Sequence, residues 1–186
     1  MREQPLLETP RLLLRPFRAD DAPAVQALAG ARAVADTTLH IPHPYPDGAA
    51  EAWIETHAPG WAAGRLASYA IVDAADGALR GAVALAVAPE HARAELGYWI
   101  GVPWWGRGLA TEAARALVGF GFAGLALHRV QARHLTRNPA SGRVMQKLGM
   151  RLEGVHREAF QRWGRFEDSA MYAVLAREWG PGGDAR

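Results

Sequence analysis

The 186-residue chain contains no cysteine. This excludes disulfides, thiolate metal sites and a cysteine nucleophile, and it leaves the redox compartment open. Lysine is almost as scarce: of 21 basic residues, Lys147 alone is lysine and the other twenty are arginine. The arginines stand singly, not in the runs of about five to eight that mark polybasic segments. The formal charge of +2 therefore reads as a bias toward arginine and alanine, and no nucleic-acid partner is expected. No window approaches the roughly 20 apolar residues that cross a bilayer, so no membrane association is expected. Met1 to Pro10 has no basic stretch followed by an apolar run, which argues against a signal peptide and makes the cytoplasm the expected location. Hydrophobic residues are plentiful, at 49%, enough to bury a core in a chain whose length suits one domain. That domain is expected over residues 1–179, with 180–186 as a flexible tail.

Patterning gives a mixed order of elements. Arg11 to Phe17 reads as a strand closed by Pro16, and Asp20 and Asp21 can cap a helix to about Gly30. The three prolines of Leu39–Pro46 forbid helix and central strand. A helix is expected from Asp47 to Ala62. Strands follow at Ser68–Asp73, Leu79–Val87 and Arg93–Ile100, the first two joined at Asp76-Gly77. Then come a helix from Leu109 to about Phe122, a strand at Leu127–Ala132 and a helix at Asn138–Leu148. Strands at Arg151–Phe160 and Phe166–Leu175, turned at Trp163-Gly164, close the series. This order predicts an α/β or α+β fold with helices on both faces of one sheet.

The most informative stretch is Glu95-Leu96-Gly97-Tyr98-Trp99-Ile100 leading to Trp105-Gly106-Arg107-Gly108-Leu109-Ala110-Thr111. A strand runs into a glycine-bracketed loop that opens directly onto a helix. Glycines let backbone N–H groups approach a ligand, and a helix start adds unpaired donors and a positive dipole end. A pyrophosphate suits such a cradle, and a plain tight turn suits it equally. A nucleoside-triphosphate loop would need Gly-Lys-Ser/Thr, but Leu109 follows Gly108. A dinucleotide loop would need a third glycine where Thr111 stands.

This stretch resembles the pyrophosphate loop of the GNAT (Gcn5-related) N-acetyltransferases, Gln/Arg-x-x-Gly-x-Gly/Ala, with Trp105 at the position of the usual Gln or Arg. Other blocks resemble the RimJ/RimL branch, the ribosomal-protein N-terminal acetyltransferases and their relatives. These are Thr9-Pro10-Arg11-Leu12-Leu13-Leu14-Arg15, Glu95 to Ile100, Asn138-Pro139-Ala140-Ser141, Lys147-Leu148-Gly149-Met150 and Asp168-Ser169-Ala170-Met171-Tyr172. The resemblance implies a GNAT fold, a mostly antiparallel sheet of about seven strands. It implies acetyl-CoA as co-substrate and an amine acceptor, either a peptide N-terminus or a small amine.

Residue roles follow from that resemblance. Gly106, Arg107, Gly108, Leu109, Ala110 and Thr111 would hold the pyrophosphate, with Arg143 and Lys147 as further phosphate contacts. The main chain at Tyr98, Trp99 and Ile100 would pair with the pantetheine arm and supply the oxyanion donor, on a strand expected to bulge and splay from its neighbour. Asn138 would touch the coenzyme arm, and Ser141 would partner the departing thiolate. Both residues also suit a simple helix cap. Glu95 is the candidate base, directly or through water, unless it is ion-paired with Arg93 or Arg133; Glu112 and Glu158 are weaker alternatives. The acceptor mouth would involve His40–Pro46 and the helix bearing Trp53. His40-x-x-His43 lacks a third ligand, so no metal is expected. The Trp104–Trp105 pair could cover the coenzyme or form a homodimer contact. Direct transfer in a ternary complex suits a chain without cysteine. Alternatives are acetylation of a polyamine, amino acid or drug, a longer acyl group, and a non-catalytic acyl-CoA-binding module.

Overall fold

The computed structural model describes residues 3–180; of the tail expected at 180–186, all but Gly180 lies outside them. Among the described residues eight strands form one sheet: β1 (Leu7–Glu8), β2 (Leu12–Arg15), β3 (Leu66–Asp73), β4 (Leu79–Ala88), β5 (Arg93–Ile100), β6 (Arg129–Leu135), β7 (Arg151–Arg162) and β8 (Arg165–Leu175). Their spatial order is β1-β2-β3-β4-β5-β6-β8-β7. Every pairing is antiparallel except β5 with β6. The strand beyond the expected seven is the two-residue β1.

Among the described residues six α-helices accompany the sheet: α1 (Ala22–Ala29), α2 (Arg32–Asp36), α3 (Ala49–Glu55), α4 (His57–Ala62), α5 (Leu109–Gly124) and α6 (Pro139–Lys147). Because strand side chains alternate between faces, β5 divides its residues cleanly. Leu96, Tyr98 and Ile100 belong to the larger core, with Leu117 and Val118 of α5 and Met145 of α6. Trp99, on the other face, packs with Val25 of α1 and Ile54 of α3. The helices thus cover both faces.

Three local expectations are corrected. The helix expected over 47–62 is two helices meeting at Thr56, whose Oγ1 donates to the Trp53 carbonyl at 2.6 Å. Pro59 has no N–H with which to continue the ladder from α3. Asp21 does not cap α1. It accepts from the Arg18 N–H at 2.8 Å and holds Arg15 through two bonds of 2.7 Å. Helix α2 was not expected at all. The turn at Trp163-Gly164 has φ of 46° and 77°, the left-handed pair that a two-residue hairpin loop demands.

His57 is buried between Phe17 and Trp53, with ring centroids 5.1 and 4.4 Å away, and neither ring nitrogen has a hydrogen-bond partner. Burial lowers its pKa from 6.5 to about 4. A histidine whose folded pKa is depressed destabilises the fold as pH falls below the unfolded value, because the unfolded chain binds the proton first. Thermal stability is therefore expected to decline between about pH 6.5 and 4, and His57→Phe is expected to flatten that part of the profile. An unchanged profile in the variant would show that His57 is not its source.

Candidate active site

Strand β5 and strand β6 pair only at Arg93↔Arg129, Ala94↔Val130 and Glu95↔Gln131. Beyond that point β5 runs on to Ile100 and β6 to Leu135 without pairing to each other, so the sheet opens as a wedge. The splay needs no bulge, contrary to expectation: the β4–β5 register is unbroken from Gly81↔Ile100 to Ala88↔Arg93. The divergence lies wholly on the β6 side, where the main chain of residues 96–100 is left without a ladder partner in β6.

Two cavities meet at this wedge. The first, of about 460 Å³, lies on the α5/α6 face. Its lining includes Tyr98, Trp99, Ile100, Gly106, Gly108, Leu109, Ala110, Thr111, Asn138, Ser141, Arg143 and Lys147. The second, of about 390 Å³, opens on the α1/α3 face and is lined by Glu95, His40, Ile41, Tyr45, Trp53, Arg133 and His134, among others. Thr37, Thr38, Tyr98, Trp99 and Ser141 border both. Arg107 borders neither.

Gly106 and Gly108 have φ of 75° and 78°, and Gly108 is the N-cap of the sixteen-residue α5. A Cβ on Gly106 would meet nothing within 4 Å, and one on Gly108 only Arg11 Nη2 at 3.7 Å. These glycines are needed for the left-handed backbone and not for space. The loop is held from outside by Arg11, which donates to the Arg107 carbonyl at 3.1 Å and pairs with Glu112 at 2.6 Å. Burial pulls the Glu112 pKa up, but bonds from Thr9 and Arg11 outweigh it and hold the carboxyl below its usual range. Glu112 thereby anchors the N-terminal segment to α5 and does not border either cavity. Glu158 also stands outside both; its N–H donates to Asp168 at 2.8 Å.

The two tryptophans act differently. Trp104 lies beneath the Arg80 guanidinium, 4.4 Å from the ring centroid, and Arg80 is itself paired with Asp73 and Asp76. The Trp105 indole N–H donates to the Ile100 carbonyl at 2.6 Å, so this half-exposed ring closes the end of the open β5 edge and borders the first cavity.

Asn138 is the N-cap of α6: its Oδ1 accepts from the Ser141 N–H at 3.4 Å, and its amide donates to the Thr37 carbonyl at 3.4 Å. The Ser141 hydroxyl does not cap. It lies 2.8 Å from the Tyr98 hydroxyl, which also donates to the Ser141 carbonyl at 3.1 Å. Burial pushes the Tyr98 phenol up to about 12 despite that serine bond, so it stays protonated. Glu95 projects to the opposite face from Tyr98. Its Oε2 accepts from Arg133 at 2.7 Å and from Gln131 at 3.3 Å, the ion-paired arrangement that the sequence left open.

Sequence reasoning missed the strap from α2 to Ile41, which supplies Val34, Thr37 and Thr38 to the first cavity. Distant residues fasten it. Arg137 bonds Asp36, and Arg162 donates to the carbonyls of Ala35 and Ile41. Arg32 and Arg162 lie 4.1 and 4.5 Å from the Trp163 ring centroid. Among the described residues no group of three or more His, Asp or Glu could hold a metal ion, and no helix is long and apolar enough to cross a membrane.

A parallel pair splayed open beside a glycine loop at a helix start defines the class by its fold: an α/β sheet with a gap between two neighbouring strands. Residues 11–151 match the model of the Acetyltransferase (GNAT) domain, and the chain belongs to the GNAT acetyltransferase family. It is 32% identical over 172 residues to the Bacillus subtilis protein YoaA, described as an uncharacterized N-acetyltransferase, covering 92% of this chain and 97% of that one. It is 32% identical over 87 residues to the Escherichia coli [Ribosomal protein uS5]-alanine N-acetyltransferase, covering 47% of this chain and 45% of that one. Its match to the Bacillus licheniformis N-acetyltransferase p20 spans about half of that protein, 51%. The solved structure of RimL, a ribosomal L7/L12 α-N-protein acetyltransferase in complex with coenzyme A, shares the fold with a TM-score of 0.85 at 19% identity, over 92% of this chain and 98% of that one.

Proposed function

We propose that the protein is an acetyl-CoA-dependent N-acetyltransferase whose acceptor is the α-amine of a protein or peptide N-terminus. The observation that carries this reading is the meeting of two cavities from opposite faces of the sheet at Tyr98, Trp99 and Ser141. Acetyl-CoA would enter from the α5/α6 face. Its pyrophosphate would lie on the N–H groups of Gly106 and residues 108–111, with Arg143 and Lys147 nearby, and its arm would lie along the open edge of β5. The amine would enter between Glu95, Tyr45 and Trp53. Its nitrogen attacks the thioester carbonyl, the carbon–sulfur bond breaks with the electron pair on sulfur, and the amide forms. The amine loses one proton and the sulfur ultimately gains one. No acyl-enzyme is needed.

The acceptor class follows from proton energetics. Freeing an α-amine of pKa about 8 at pH 7 costs roughly 1.4 kcal/mol, against nearly 5 kcal/mol for a lysine side chain. A carboxylate already committed to Arg133 suits the easier proton. The RimL and uS5-alanine acetyltransferase relatives support the same acceptor class. Glu95→Gln is expected to lower turnover about 100-fold, the lower end of general-base effects, with acetyl-CoA affinity little changed. Turnover unaltered between about pH 6 and 9 would remove Glu95 from the mechanism.

The function is tested by thiol release from acetyl-CoA in the presence of free-amine peptides, lysine-bearing peptides with blocked N-termini, and small amines. Acetylation of the α-amine peptides alone is expected. Product with small amines alone would move the acceptor class, and acetyl-CoA binding without product from any acceptor would indicate a binding module.

A further inference from the structure

We infer that the Tyr98 hydroxyl is a positioning residue for the Ser141 hydroxyl, holding it ready to stabilise the departing thiolate of coenzyme A. The inference rests on the acetyl-transfer reading above, which brings the coenzyme sulfur to the point where the two cavities meet. Tyr98 and Ser141 come from different elements, β5 and α6, across the wedge, and both border both cavities.

The hydrogen-bond arithmetic is specific. Tyr98 has one proton to donate, and its hydroxyl lies near two oxygens of the same residue, the Ser141 carbonyl at 3.1 Å and Oγ at 2.8 Å. A carbonyl can only accept, so with the phenol proton on the carbonyl the short oxygen–oxygen contact uses the serine proton. When negative charge develops on sulfur, the serine proton turns to it. The phenol proton then turns from the carbonyl to Oγ, replacing the bond that Oγ has given up. Two hydroxyl rotations convert a self-satisfied pair into a donor chain from Tyr98 through Ser141 to sulfur, and each bond in such a chain polarises the next. No proton leaves tyrosine, because a phenol held near 12 is a far weaker acid than a thiol at about 8.5. The sulfur receives its proton from water after the amide has formed. A serine without this partner would keep its proton on the nearest carbonyl, the usual habit of helix serines.

The test uses the full chain as wild type, Tyr98→Phe, Ser141→Ala and the double variant, with two readouts. The first is the pKa of the thiol of bound coenzyme A, followed by the ultraviolet absorbance of the thiolate, which needs no acceptor. The second is kcat and KM for acetyl-CoA with a free-amine peptide. Tyr98→Phe is expected to raise the bound thiol pKa by about one unit and to lower kcat about tenfold, in keeping with a hydrogen bond to a charged group, with KM little changed. In the Ser141→Ala background the same substitution is expected to add nothing. A Tyr98→Phe variant with the wild-type thiol pKa and kcat would overturn the inference. So would an equal effect with and without Ser141, since that would make Tyr98 independent of the serine. Failure of wild-type protein to bind coenzyme A would overturn the acetyl-transfer reading itself, an outcome distinct from either.

Discussion

Replacing Gly106 and Gly108 together by alanine is expected to weaken acetyl-CoA binding by about 100-fold while the protein remains folded. An L-residue in the left-handed region costs roughly 1–2 kcal/mol, and both positions are held there, at φ of 75° and 78°. Two such costs amount to roughly 2–4 kcal/mol, or about 30- to 1,000-fold in an equilibrium constant at 1.4 kcal/mol per decade. The chain can avoid this strain by leaving the left-handed conformation, but that re-aims the N–H groups of the cradle. Steric exclusion plays no part, since the added methyl groups meet open space or the end of Arg11. Isothermal titration of the variant, with circular dichroism to show the fold intact, measures the effect. Affinity within threefold of wild type would mean that the loop backbone does not hold the ligand.

The largest loss of stability is expected from Asp21→Ala. Arg15 and Asp21 form a bidentate pair whose side chains are only 11% and 9% exposed. Removing one partner of a buried ion pair leaves the other charge uncompensated, at a cost of about 3–5 kcal/mol. The Arg18 N–H loses its acceptor as well. Burial works to raise the Asp21 pKa, but the Arg15 bond, the Arg18 N–H and the charges of both arginines outweigh it and hold the carboxyl below its usual 3.8. A carboxylate with a depressed folded pKa contributes stability above the unfolded value, and that contribution fades as pH falls through the folded one. Wild-type protein is thus expected to weaken in two stages on acidification, first between about pH 6.5 and 4, where the unfolded chain protonates His57 and the fold does not, and then below about pH 4 as Asp21 is protonated. Denaturant unfolding of Asp21→Ala at neutral pH measures the first claim; a loss under 1 kcal/mol would contradict it.

The features of this region that are legible in the sequence are those set by neighbours along the chain. Gly106 and Gly108 bracket a loop that opens onto a helix, and Asn138-Pro139 declares a second helix start. The boundaries of β5 were likewise legible. What escaped depends on residues far apart. The α2 strap reaches the cavity because Arg137 and Asn138 bond Asp36 and Thr37 across 101 positions and Arg162 bonds Ala35 across 127. A five-residue helix between Gly30 and the threonines leaves too short a pattern to detect. Glu112 read as a weaker candidate base because nothing in its own neighbourhood predicts Arg11, 101 positions earlier. The Tyr98–Ser141 contact joins β5 to α6, 43 positions apart, and no local periodicity encodes it. Trp105 was visible as a departure from the family loop, but its bond to the Ile100 carbonyl depends on how the chain folds back after β5.

The central claim, that the wedge between β5 and β6 and the loop at 106–111 receive acetyl-CoA, is tested most directly by titrating acetyl-CoA into the wild-type protein by calorimetry. The structure predicts saturable binding to one site per chain, competed by coenzyme A. An absence of binding would contradict the assignment of the loop, and with it the chemistry assigned to Glu95, Tyr98 and Ser141.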